Sequence, residues 1–321
     1  MPRLLSMSPA KASITKSIGL IAALAASAAV AQAQGVKVQI ACTATSDCAS
    51  AIVARDEGLF AKRGIDADMT LIGINTNIPP AIVSNSIQIG GPTAPVFLQA
   101  VDGGLDLVAV GGASSMDPTS NTSIAAVVRN GVEAKVAKDF IGKKVGAPGI
   151  GAFLHVLFVK WLIENGVDPA QVNFVEVTFP TMSDALKSSA VDVVLTAEPF
   201  VTRIERAGVG KATVHYALEL ARPDPIILYA ATRAYVEKNP EVIKNFRAAI
   251  EEAAVIVNGD RDKANLAISK FTKQPLEIVN LNRPNISTPK ITAAQFTWWL
   301  DVMKQQGMLQ SKVDVGKLVA P

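Results

Sequence analysis

The sequence predicts an α/β protein built as two units, each around a mainly parallel sheet. Two observations carry this. Strand-like and helix-like segments alternate along most of the chain, and the alternation restarts in a second unit near Ile124. Beyond residue 33, the 321-residue chain is also long enough for two domains.

Taken in order, Val36–Ala41 reads as a strand, and Ala49–Lys62 as a helix with Ile52, Val53, Leu59 and Phe60 inward, stopped by Gly64. Asp66–Ile72 is the next strand. Pro79 and Pro80 open a short helix to about Asn85, Ile87–Ile89 reads as strand, Pro95–Val101 as helix and Leu105–Val110 as strand. The second unit starts at Ile124–Arg129 and continues with strand Lys144–Ala147, helix Gly151–Asn165, strand Asn173–Thr178 and helix Ser183–Ser189. Strand Asp192–Thr196, helix Pro199–Ala207 and a strand near Ala212–Tyr216 complete it. Ile226–Ala231 is strand-like again, and everything after Thr232 reads as helical. Pro240 opens a long helix to Val257, and Thr292 caps another through Gln305. With no strand partners of its own, the C-terminal third is expected to pack back on the first unit. That assigns 34–127 and 229–321 to one lobe and 128–228 to the other, with Ile124–Arg129 and Ile226–Ala231 crossing between them.

Residues 1–33 have the form of a cleaved secretory signal. Arg3, Lys11 and Lys16 are followed by the apolar run Ile18–Val30 and the small-x-small triplet Ala31-Gln32-Ala33. The run is shorter than the roughly 20 residues of a membrane span, and no cysteine follows it to carry a lipid. The expectation is therefore an exported protein. Three of the 31 basic residues lie in this segment and none of the 28 acidic ones, so the remainder carries 28 of each. A net charge of zero gives no case for a nucleic-acid or membrane-surface partner.

The two cysteines, Cys42 and Cys48, stand six apart in an exported chain; a disulfide and two buried thiols are both open. The two histidines, His155 and His215, lack metal-ligand spacing, so no metal site and no cofactor is expected. The most distinctive stretch is Gly149-Ile-Gly-Ala-Phe153, a glycine turn between the strand at 144–147 and an apolar helix. Glycines admit a ligand close to the backbone, and the unpaired first-turn amides of a helix favour an anion. No Lys-Ser or Lys-Thr pair follows Gly151, so this is not a nucleotide P-loop. Leu154 also replaces the third glycine of a dinucleotide fingerprint, which leaves a dinucleotide-using enzyme as a remote alternative.

The order of these elements, with the words Ala54-Arg-Asp-Glu-Gly-Leu-Phe-Ala-Lys-Arg-Gly-Ile65, Gly103-Gly-Leu-Asp-Leu-Val-Ala-Val110, Phe140-Ile-Gly-Lys-Lys-Val-Gly-Ala147, Leu162-Ile-Glu-Asn-Gly-Val-Asp-Pro169, Ala197-Glu-Pro-Phe200 and Tyr235-Val-Glu-Lys-Asn-Pro-Glu-Val242, resembles the periplasmic substrate-binding proteins of ABC importers, in the nitrate/sulfonate/taurine/thiamine-precursor group. The resemblance implies a type II periplasmic binding protein fold: two α/β lobes joined by two crossover strands, a ligand cleft between them, and no enzymatic activity. It also implies a monomer that delivers its solute to an inner-membrane permease driven by a cytoplasmic ATPase.

Ligands of open parallel sheets sit at the carboxyl ends of the strands. The candidate contacts are accordingly Thr43, Thr45 and Ser46 after the first strand, Thr93 after the third and Ser114 after the fourth. In the second unit they are Gly149, Ile150, Gly151, Ala152, Phe153, His155 and Glu198. Plainer readings are N-capping for Thr43, Thr45 and Ser46, a polar loop for Ser114, a helix start needing flexible backbone for the glycine turn, a packed histidine for His155 and a helix start for Glu198. Arg129 could clamp an acidic ligand or bridge the lobe surface, and Phe153, Phe179 and Phe200 could stack on a ring or fill the core. The hydroxyl and amide groups suit a small anion of sulfonate, taurine or nitrate type. An aromatic or carboxylic acid, or a thiamine-precursor pyrimidine, is the alternative.

Overall fold

Two sheets organise the chain, which the computed structural model describes at residues 35–115, 123–217, 224–282, 285–310 and 313–321; the expected signal at 1–33 lies outside these. The strands are β1 (Val36–Cys42), β2 (Ile65–Leu71), β3 (Ile89–Gly90), β4 (Leu107–Ser115), β5 (Ile124–Arg129), β6 (Lys144–Ala147), β7 (Asn173–Glu176), β8 (Val193–Ala197), β9 (Gly210–Val214), β10 (Pro225–Thr232) and β11 (Ile286–Ser287). The first sheet has the order β11-β4-β10-β3-β1-β2 and the second β7-β6-β8-β5-β9. β1 pairs in parallel with β2 and β3, and β6 in parallel with β7 and β8. Into each parallel set one antiparallel strand is inserted, β10 in the first sheet and β5 in the second.

These two strands are the segments expected to cross between lobes. Each lies wholly within one sheet, β5 in the second and β10 in the first. Sheet membership thus places 124–127 with the second half and 225–228 with the first, a few residues from the expected boundaries.

The helices are α1 (Ala49–Asp56), α2 (Ile78–Val83), α3 (Ala94–Asp102), α4 (Phe153–Glu164), α5 (Met182–Lys187), α6 (Phe200–Arg206), α7 (Arg233–Lys238), α8 (Pro240–Gly259), α9 (Arg261–Thr272), α10 (Leu276–Val279) and α11 (Thr297–Gln305). α1 is shorter than its apolar pattern suggests. Gly58 takes φ +67°, and the Leu59 N–H turns back to the Ala54 carbonyl at 2.8 Å, which ends the helix early. The C-terminal third is not wholly helical either, because β11 pairs with the end of β4.

The first core forms where α8 lies on α1, with Phe246 stacked on Phe60 at 5.5 Å and edge-on to Tyr229 at 5.2 Å. The Tyr229 hydroxyl meets Ser50 Oγ at 2.9 Å and accepts the Ala51 N–H at 3.1 Å, fixing the start of α1. The second core centres on α4, whose Phe158 packs against Phe140 and Trp161. Among the described residues no helix is long and apolar enough to cross a membrane.

Candidate functional site

A cleft of about 450 Å³, open solvent at its mouth included, lies between the two halves. The topology explains its place. Parallel strands end on this side and the antiparallel β5 and β10 begin here, so both sheets deliver loops to one line. Thr43, Thr45 and Asp47 follow β1, Asn75 follows β2 and Thr93 follows β3. Pro148, Ala152, Phe153 and Leu154 follow β6, Phe179 follows β7, and Asn285 precedes β11. Ile124, Ala197, Ile226 and Ile227 complete a largely apolar wall.

The loop after β1 is the most built part of the site. Cys42 and Cys48 are bridged, closing a short ring around Thr43–Asp47. Gly91 packs on this bridge, and a Cβ there would stand 2.8 Å from Cys48 Sγ. The Gly91 carbonyl accepts from Asn75 Nδ2 at 3.3 Å, and Asn75 Oδ1 accepts the Thr93 N–H at 2.9 Å. Disulfide, glycine, Asn75 and Thr93 therefore form one continuous floor. The Thr93 hydroxyl is buried within it without a hydrogen-bond partner. Replacing both cysteines by serine is expected to cost about 2 kcal/mol of stability, the order given by closing so short a ring. Urea unfolding of the double variant beside the native protein checks this.

Asp47 was not anticipated from the sequence. It is buried, and its carboxylate accepts from Thr45 Oγ1 at 2.6 Å, Ser114 Oγ at 2.9 Å and Asn285 Nδ2 at 2.7 Å. Ser114 thus stands behind the wall as a support for Asp47. Asn75 and Asn285 were also missed. The only available signal was for Asp47, an acid within the ring already singled out; Asn285 comes from a distant segment with no motif.

The glycine turn is tied mainly to its own half. Its amides are engaged within the protein: Ile150 N–H donates to Glu176 Oε1 at 3.0 Å, Gly151 N–H to His155 Nδ1 at 3.2 Å, and Ala152 N–H to the Gly149 carbonyl at 3.1 Å. Gly149, Ile150, Gly151 and His155 do not line the cleft; of the expected segment only Ala152 and Phe153 do. His155 is instead a buried support, edge-on to Phe174 at 4.5 Å, and burial lowers its pKa to about 4. The helix itself still opens on the cleft, since Ala152 at its N-cap position offers no side chain to its first-turn amides.

The turn's second task is to meet the other half. Gln99 Nε2 donates to the Gly151 carbonyl at 2.8 Å, and the Asn75 N–H to the Pro148 carbonyl at 3.3 Å. Gly151 has φ +83°, and a Cβ there would lie 2.8 Å from Gln99 Nε2. Gly151→Val is therefore expected to destabilise the protein by about 2 kcal/mol and to displace Gln99, weakening solute binding. A denaturant melt with parallel calorimetry reads both effects.

Ser46 and Glu198 lie apart from the cleft, in a small recess with Asn265 and Asn282. Glu198 accepts from the Thr202 N–H and hydroxyl and from Asn282 Nδ2, the arrangement of a helix start, and burial raises its pKa. Arg129 pairs with Asp192 at 3.1 Å, at the end of β5 away from Ile124, so it does not reach the cleft. Phe179 does line it, with Phe200 stacked behind at 5.3 Å. Among the described residues no Lys, Arg or His lines the cleft, and none of the His, Cys, Asp and Glu side chains group to hold a metal.

Two solved structures share this architecture. The alkanesulfonate-binding protein SsuA of Xanthomonas axonopodis pv. citri, bound to MOPS, superposes with a TM-score of 0.75 at 17% identity, covering 89% of this chain and 99% of that one. The periplasmic nitrate-binding protein NrtA of Synechocystis PCC 6803 superposes with a TM-score of 0.74 at 16% identity, covering 88% of this chain and 84% of that one. At such identities these are likenesses of fold. A provisionally described ABC transporter periplasmic binding protein of Brachyspira hyodysenteriae is 25% identical over 132 residues, 41% of this chain; the match spans only 37% of that relative's length. The family model described as NMT1/THI5 like matches residues 45–264, more than half of the sequence, and the chain belongs to that family.

Proposed function

We propose that the protein is the periplasmic solute receptor of an ABC importer: it captures a small molecule in the cleft and delivers it to an inner-membrane permease driven by a cytoplasmic ATPase. The observation that carries this reading is that both sheets wall one cleft, whose two sides meet through side-chain and loop hydrogen bonds such as Gln99 to Gly151, Asn75 to Pro148 and Asn282 to Glu198. Such joints can break and reform as halves open and close. The reading entails export through cleavage near Ala33, action as a monomer, no enzymatic activity, and lobes that divide where the two sheets do.

For the solute, an acid group of the sulfonate, taurine or nitrate type fits the uncapped start of α4 and the unpartnered hydroxyl of Thr93. With no described cation in the wall, amides and hydroxyls would hold that group. The test is native mass spectrometry of the protein isolated from the periplasm. A co-purified small molecule of fixed mass, lost on denaturation and raising the melting temperature when restored, is the expected result. Protein that emerges empty and responds to no solute of a broad metabolite panel would overturn the receptor reading.

A further inference from the structure

We propose that the solute carries a positively charged nitrogen, an ammonium or amidinium group, that seats on Asp47. The inference rests on the cleft being the solute site and deepens that reading. Asp47 lines the cleft with only 7% of its surface exposed. A carboxylate has about four acceptor positions. Three are used, two on Oδ1 by Ser114 and Asn285 and one on Oδ2 by Thr45. All three donors are neutral side chains, so they orient the carboxylate without cancelling its charge.

No cation does so either: among the described residues none lies within ion-pair distance of Asp47, and none lines the cleft. A buried charge is normally paired, because desolvation is costly and the partner offsets it. Here the structure supports the carboxylate through three neutral donors, and the residue lines the cleft. A cationic nitrogen in the cleft would supply a further hydrogen bond and a counter-charge that no described residue provides. An acid group at the far end of the same molecule remains compatible with the start of α4.

The test uses pairs that share one end and differ at the group offered to Asp47: 2-aminoethanesulfonate against ethanesulfonate, 4-(aminomethyl)benzoate against 4-methylbenzoate, and benzylammonium against toluene-sized neutral benzamide. Calorimetry and thermal shift are read on the native protein and on Asp47→Asn, which keeps an acceptor for Ser114 and Asn285. In each pair that binds, the amine is expected to bind at least about 30-fold more tightly, and Asp47→Asn is expected to erase that ratio while the amine-free member changes less than about threefold. If the variant fails to fold, the ratio in the native protein decides alone. An amine-free member that binds as tightly, a ratio that survives Asp47→Asn, or no amine that binds would each overturn the inference. In the last case a co-purified solute found by mass spectrometry would leave the receptor reading standing.

Discussion

Gly91→Val is expected to destabilise the protein by about 3 kcal/mol and to abolish solute binding, the largest effect of any single substitution in the cleft floor. The reason is the lack of anywhere for the side chain to go. A Cβ at this position would sit 2.8 Å from Cys48 Sγ, 3.0 Å from Cys42 Sγ and 3.3 Å from Ile227 Cγ2. The disulfide cannot swing aside as a flexible side chain could, because both its ends are fixed in β1 and the turn before α1. Relief must come from the backbone, and the Gly91 carbonyl is tied through Asn75 to Thr93. Strain at Gly91 thus passes to Asn75 and Thr93 in the cleft floor. Urea unfolding gives the stability change, and calorimetry with the co-purified solute gives the affinity. A variant within about 0.5 kcal/mol of the native protein that still binds would show that the floor is not rigid.

Acidification is expected to weaken the fold through His155. In the folded protein this imidazole takes up its proton only near pH 4, because burial penalises the charged ring; in the unfolded chain it does so near 6.5. Between those values the unfolded state binds more protons. Stability is therefore full above about pH 6.5 and falls as the pH drops toward 4, by up to about 3 kcal/mol from this group. The lost interaction is specific: a protonated Nδ1 can no longer accept the Gly151 N–H, so the glycine turn loosens as the ring charges. His155→Gln keeps an acceptor without the titration, and urea midpoints measured from about pH 7 to about pH 4.5 should decline less steeply in it. Equal slopes would assign the acid sensitivity elsewhere. Glu198 acts in the opposite direction, since its raised pKa costs stability as the pH climbs above its ordinary value.

The sequence made the element order legible because strand and helix periodicities are local properties of a few consecutive residues. Lys144–Ala147 is found with the bounds read from the sequence, and Val36–Ala41 and Asp192–Thr196 within a residue at either end. The errors came where distant partners decide. β11 is two residues long and exists only because β4 offers it an edge. α1 stops at Asp56 although its apolar pattern continues through Phe60, because those side chains are buried from a turn as well as from a helix.

For the site, the residue types and the strand ends were readable, and Thr43, Thr45, Thr93, Ala152 and Phe153 do line the cleft. What the sequence by itself determined was the αβ order, the glycine turn and the polar loop between the two cysteines. What only the tertiary structure decided was which of those groups remain available. The amides of the glycine turn are taken by Glu176 and His155, whereas the carboxyl group of Asp47 gathers Ser114 and Asn285 from remote segments. Hydrogen-bond donors and acceptors are consumed by whatever the fold brings within about 3 Å, and sequence spacing carries no record of partners so far along the chain.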